Sequence, residues 1–282
     1  MDEDTVITLR RHGNPAGPRL ILSHGNGLAI DLYFPFWSLL ADEFDLIVHD
    51  LRNHGWNKLG GLQNHNLPTL VSDHDKILEA IAREFGNKPT AGIYHSASAL
   101  TALLSPSNGA RYSALVLFDP PLCKPGDSYE RFDEAAIRLA AMTRRRTFRF
   151  ETRESMAELL SFLPTFERTV PGFYELFART TLRESENGTG YELRCPPEYE
   201  ARLVDYARAF AVLVDFGSLR CPTKVIGADP TLPYSYLPTL DLSDIMSVNY
   251  DFLPDATHLL QLESPEECVA TMREFLDPIT QT

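Results

Sequence analysis

The 282-residue chain is expected to fold as an α/β protein, a mostly parallel sheet flanked by helices and interrupted by an all-helical insertion. Three observations point there. Short β-rich apolar runs alternate with helical patterns up to about residue 121, helical patterns alone follow to about 218, and strands then resume before a closing amphipathic helix. Strands that alternate with helices imply parallel pairing, because parallel neighbours need a long crossover.

In chain order, the apolar runs at 6–9, 20–22, 46–48, 91–94 and 114–118 read as strands. Residues 128–145, 153–163, 172–182 and 197–214 read as helices, the last with Tyr199, Leu203, Tyr206 and Phe210 at helical spacing, so that one apolar stripe must be buried. Strands return at 223–226 and 248–252, and a helix over 265–276 opens on Pro265, which suits a first turn. The expected organisation is a core of residues 1–121 and 219–282 with an inserted segment, 122–218, over the strand ends.

Composition narrows the partners. With 26 Lys and Arg against 39 Asp and Glu, a net charge of −13 argues against nucleic acid and anionic membranes, which bind clustered cations. No apolar run approaches a membrane span of about 18 residues or more. Met1-Asp2-Glu3-Asp4 is acidic where a signal peptide is basic, so a cytoplasmic location is expected. Cys123, Cys195, Cys221 and Cys268 are scattered without ligand spacing, so no metal is expected. The basic group Arg144, Arg145, Arg146 and Arg149 ends a helix and reads as a solvated terminus. The expected partner is a small-molecule substrate, with a homo-oligomer left open.

In open parallel sheets, ligands bind beyond the carboxyl ends of the strands. Those ends carry Ser23-His24-Gly25-Asn26-Gly27, Asp50-Leu51-Arg52-Asn53-His54-Gly55, His95-Ser96-Ala97-Ser98-Ala99, Asp119-Pro120-Pro121, Asp229-Pro230 and Asp255-Ala256-Thr257-His258. Singly, each has a structural reading as a cap, a turn or a solvated loop. Together they place a serine at a strand-to-helix turn, an acid after a later strand and a histidine after the last strand, the order Ser, Asp, His.

On these residues the chain resembles the α/β-hydrolase family, over nearly its whole length outside the insertion. Residues 22–27 resemble the family's His-Gly oxyanion turn, 50–55 its Asp-x-Arg-Gly-His-Gly loop, and 253–266 its histidine loop and last helix. The resemblance implies that the insertion follows the sixth family strand. It also implies Ser96 as nucleophile, His258 as base, Asp229 as acid with Asp119 as the alternative, and the backbone N–H groups of Asn26 and Ala97 as oxyanion donors. No cofactor is implied. The family elbow is Gly-x-Ser-x-Gly, whereas here Tyr94 and Ser98 flank the serine, with Ala99 next; Ser98 is a second candidate nucleophile. His24 and Arg52 read as loop braces. The activity so implied is cleavage of small to medium carboxylic esters, thioesters or lactones through an acyl-enzyme. Carbon–carbon cleavage of dienoic keto acids by the same residues, with Arg52 or an insertion arginine holding the carboxylate, is an alternative. The altered elbow leaves a third, a non-catalytic receptor. Large apolar residues of the insertion, among them Phe132, Phe173, Phe177, Tyr199, Tyr206 and Phe210, are expected to contribute to the pocket lining.

Overall fold

The computed structural model describes residues 5–233, 236–237, 239 and 248–280. Among these, seven strands form one sheet: β1 (Leu9–Gly13), β2 (Arg19–Ser23), β3 (Asp45–His49), β4 (Thr90–His95), β5 (Ala114–Phe118), β9 (Thr223–Gly227) and β10 (Asn249–Phe252). Their spatial order is β1-β3-β2-β4-β5-β9-β10, and every pairing is parallel except β1 with β3. Every residue of β2, β3, β5 and β9 is buried, which is why these strands read as unbroken apolar runs. β1 lies beyond the apolar run at 6–9. Its Arg10 and Arg11 pair with Asp31 and Asp45, both at 2.6 Å, as an edge strand with one face in water permits.

The helices of the core begin with α1 (Phe34–Trp37), α2 (Leu67–Phe85) and α3 (Ala97–Leu103). α2 starts where the Asn66 side chain accepts from Thr69 N at 2.9 Å with Pro68 in the first turn, and it buries Leu67, Leu70, Ile77, Leu78 and Ile81 along one face.

Between β5 and β9 lie α4 (Asp127–Arg144), β6 (Arg149–Phe150), α5 (Arg153–Ser161), α6 (Phe173–Thr181), β7 (Leu182–Glu184), β8 (Tyr191–Leu193) and α7 (Pro197–Phe210). The expectation of an all-helical insertion is corrected here: β6, β8 and β7 form a three-stranded antiparallel sheet. Its strands are two or three residues long, too short to show alternation, and Gly188 and Gly190 close the β7–β8 turn at φ 72° and 69°. The segment leaves after β5, the fifth strand of this chain. It shares its apolar packing with the sheet domain. Phe132, Ala136, Leu203 and Val204 cluster with Leu67, Leu70 and Leu100, while Met156, Phe166, Phe173 and Phe177 join a cluster with Leu22, Val48 and Phe118. After β10 come α8 (Leu260–Glu263) and α9 (Pro265–Thr280), and no helix among the described residues is long and apolar enough to cross a membrane.

Candidate functional site

Register brings the chemistry to one rim. Ser23 pairs with Tyr94 and His95 with Phe118, so β2, β4 and β5 end nearly level. The ladder runs one residue further, with Ser96 N donating to Phe118 O and Asp119 N to Ile226 O, both at 2.9 Å. Ser96 and Asp119 are thereby held at neighbouring strand ends. Both have positive φ, 51° and 37°, a conformation sparsely populated by residues other than glycine.

His258 sits between them. Its Nε2 is 2.9 Å from Ser96 Oγ and its Nδ1 is 2.6 Å from the Asp119 carboxylate. Asp119 is 4% exposed and His258 8%. The Asp119 carboxylate also accepts from Ala228 N at 3.3 Å. With Nδ1–H donating to Asp119, Nε2 is the nitrogen left to accept from the serine hydroxyl.

The expectation that Asp229 partners His258 is therefore corrected. Asp229 lies two residues beyond the end of β9, and its carboxylate accepts from Thr231 N and Oγ1 at 2.8 and 2.6 Å and from Asp255 N at 2.9 Å. Those hydrogen bonds, from Thr231 first, hold its pKa below the usual carboxylate value, and they brace the loop leading to His258. Ser98 is also placed elsewhere: 2% exposed, its Oγ accepts from His95 N at 3.0 Å and donates to His95 O at 2.9 Å. It ties the first turn of α3 to β4.

Tyr94, the residue that departs from the elbow pattern, packs beneath α3 in a cluster with Ala99 and Ala102. Its room comes from Gly92, where a Cβ would stand 2.5 Å from the Tyr94 ring. The Tyr94 hydroxyl is 2.8 Å from that of Tyr112, which reaches His74 Nε2 at 2.9 Å.

Tyr33, absent from the sequence reading, organises the centre together with His95. Gly25 N donates to the Tyr33 hydroxyl oxygen at 3.2 Å, and that hydroxyl lies 2.6 Å from His95 Nδ1. His95 Nε2 is 2.8 Å from His258 O. One assignment satisfies all three contacts: the Tyr33 hydroxyl donates to Nδ1, and Nε2–H donates to the carbonyl. Burial drives the His95 pKa well below its usual value, in keeping with a neutral ring. The 23–27 turn is thus hydrogen-bonded through Tyr33 and His95 to the backbone of His258.

The turn is braced from below and above. His24 Nε2 accepts from Leu51 N at 3.0 Å, and Gly27 N donates to His54 Nε2 at 3.0 Å. Burial pushes the Asp50 pKa up, but the neighbouring His24 ring and hydrogen bonds from Ile30 N and Trp56 N outweigh it and hold the carboxyl well below the usual range. Arg52 makes a two-pronged contact with Asp73 at 2.7 and 2.8 Å, matching the reading of a loop brace. From above, Glu200 of α7 accepts from Asn26 Nδ2 through its carbonyl at 2.7 Å. The Glu200 carboxylate pairs with Arg146 at 2.5 Å and crowds Gly27, whose Cβ would meet it at 2.5 Å; with φ at 74°, Gly27 is doubly required. Burial raises the Glu200 pKa against the pull of Arg146.

Asn26, Ala97, Ser96 and His258 line one cavity enclosing about 660 Å³ of empty space, its mouth included. The remaining wall is mostly aliphatic: Leu28, Leu67, Leu70 and Leu100 from the core, and Leu139, Leu203, Val204 and Ala207 from α4 and α7. Its aromatic member is Tyr236, whose ring stacks on His258 at 4.8 Å. None of the six insertion aromatics named above lines it. Phe132, Phe173 and Phe177 are buried in the packing against the core, while the pocket face of α7 is the stripe Glu200, Leu203, Val204 and Ala207. A carboxylate at the head of an apolar stripe with i, i+3, i+4, i+7 spacing was the sequence signal for Glu200.

A family model described as alpha/beta hydrolase family matches residues 20–271. Among solved structures, an E-2-(acetamidomethylene)succinate hydrolase superposes with a TM-score of 0.78 at 17% identity, over 98% of this chain and 96% of that one. A thermophilic esterase from Thermogutta terrifontis gives 0.68 at 20%, over 98% and 94%. The enol-lactonase from Burkholderia xenovorans gives 0.67 at 18%, over 98% and 98%. No curated protein sequence matches the chain.

Proposed function

The chain belongs to the alpha/beta hydrolase family, and we propose that it is a serine hydrolase of small to medium carboxylic esters, thioesters or lactones, with Ser96, His258 and Asp119 as its triad. The observation that carries this is the unbroken contact from Ser96 Oγ to His258 Nε2 and from His258 Nδ1 to Asp119.

Ser96 Oγ attacks the acyl carbonyl while its proton passes to His258 Nε2. Asp119 holds the imidazole tautomer and stabilises the imidazolium that forms. The carbonyl oxygen becomes an oxyanion met by the N–H groups of Asn26 and Ala97, each such donor being worth about 2.7 to 4 kcal/mol. His258 returns the proton to the leaving oxygen or sulfur. Water, deprotonated by the same nitrogen, then releases the acid from the acyl-enzyme. The Glu200 carbonyl, which accepts from Asn26 Nδ2, ties the inserted segment to the turn that carries the Asn26 donor, and Arg146 in turn holds the Glu200 carboxylate.

Substrate class follows from the wall. It is aliphatic, and its one charged member from the inserted segment is Glu200, a carboxylate that disfavours anionic substrates. That observation favours neutral esters over dienoic keto acids, whose carboxylate needs a cation. Arg52, one candidate for that cation, is committed to Asp73. Steady-state rates with p-nitrophenyl esters from acetate to laurate, measured beside a dienoic keto acid, test the reading. Expected are fast turnover of short esters, a steep fall with chain length, and no cleavage of the keto acid. Turnover of the keto acid alone would replace the reading, and turnover of neither substrate would favour a receptor.

A further inference from the structure

A second cavity opens between the core and the inserted segment and shares no lining residue with the first. It encloses about 1110 Å³ of empty space, its mouth included. Its wall carries four guanidinium groups, Arg10, Arg153, Arg179 and Arg194, against a single carboxylate, Asp31, in a chain whose net charge is −13. Arg10 is committed to Asp31 at 2.6 Å. Among the described residues the other three form no ion pair, although the protein has an excess of carboxylates to offer.

Arg153 and Arg194 are held by aromatic rings instead, and Arg194 also by carbonyls. Arg194 lies 5.7 Å from the Trp56 ring and donates to Gly55 O and Leu182 O at 2.9 and 3.1 Å. Arg153 stacks 4.8 Å from the Tyr191 ring, and its buried Nε has no acceptor. Trp56 is itself pinned by its indole N–H, which donates to Asp31 at 2.7 Å. Burial, together with the charges of Arg183 and Arg153, pulls the Arg194 pKa down against the pull of Asp50. Cations gathered at this cost, without carboxylates to neutralise them, leave N–H donors to an anion from outside.

We propose that this cavity is a binding site for a small phosphate-class dianion, held by Arg153, Arg179 and Arg194. Arg153, Arg179 and Arg194 come from three places: α5, α6 and the residue after β8. A tetrahedral dianion offers acceptor oxygens in more directions than a planar carboxylate, which suits donors arriving from three elements.

Calorimetric titration of the whole chain at low salt with inorganic phosphate and pyrophosphate, beside succinate, tests this. Saturable binding is expected for the phosphates, tighter than for succinate and weakening as salt rises. Arg179→Gln, at an exposed position, and Arg153→Gln are each expected to weaken it about ten-fold, whereas Arg138→Gln on the exposed face of α4 leaves it unchanged. Each variant's unliganded thermal midpoint establishes that lost binding belongs to a folded protein. Absence of saturable phosphate binding, succinate binding as tightly as phosphate, or affinity indifferent to Arg153 and Arg179 would each overturn the proposal.

Discussion

Gly92 makes room for Tyr94: a Cβ at Gly92 would stand 2.5 Å from the Tyr94 ring, one face of β4 thus accommodating an aromatic where the elbow pattern has glycine. The close packing of strand on helix is preserved by moving the missing side chain two residues upstream. Gly92→Ala should destabilise the fold by about 1–3 kcal/mol through overpacking. Chemical denaturation checks it, and an unchanged midpoint would mean that Tyr94 has other room.

Asp119→Asn should lower kcat by a factor on the order of 10⁴, because the amide cannot hold the imidazole tautomer as a carboxylate does. Asp229→Asn, whose side chain reaches Thr231 and Asp255 N, should change kcat only a few-fold while lowering the thermal midpoint. Parallel kinetics and melting of the two variants decide the assignment. The reverse pattern would return the acid to Asp229.

Tyr33→Phe removes the hydroxyl shared by Gly25 N and His95 Nδ1 and strands two buried polar groups, at about 1–3 kcal/mol for each. Both the 23–27 turn, the proposed oxyanion site, and the His258 backbone lose a support, so kcat should fall about ten-fold with KM little changed. An unaltered kcat would show that the turn is held by His54 and Glu200 alone.

Stability should fall as pH drops below neutrality. Burial lowers the pKa of His49 to about 4 and of His65 and His74 to about 3, and depresses His54 and His95 well below the usual value. Between the unfolded value of about 6.5 and these native values, the unfolded chain binds protons that the native one refuses. The stabilisation is therefore complete above that upper limit and is lost as pH falls towards 4, by up to about 1.4 kcal/mol per pH unit for each histidine. Urea midpoints taken at neutral and mildly acidic pH should show it; a flat profile would mean that these rings ionise in the fold.

What the sequence made legible was what local pattern encodes. The central strands stand out because both their faces are buried, and Ser96 and His258 because each follows a strand at a turn with a recognisable neighbourhood. The acid was not legible. Asp119 and Asp229 both follow a strand of the parallel sheet, and only the path of the loop from Leu253 to His258 decides which carboxylate the imidazole meets. β6, β7 and β8 escaped because strands of two or three residues have no periodicity. The pocket wall was misread for a related reason. The largest apolar residues of the insertion fill its packing against the core, and smaller aliphatic ones face the cavity.

The central claim is that Ser96 is a nucleophile activated by His258 and Asp119. Intact mass after treatment with a fluorophosphonate, followed by peptide mapping, tests it most directly. The account predicts one adduct per chain, on Ser96, absent from Ser96→Ala, retained by Ser98→Ala and formed far more slowly by Asp119→Asn. An unmodified chain, or an adduct mapping to Ser98, would contradict it.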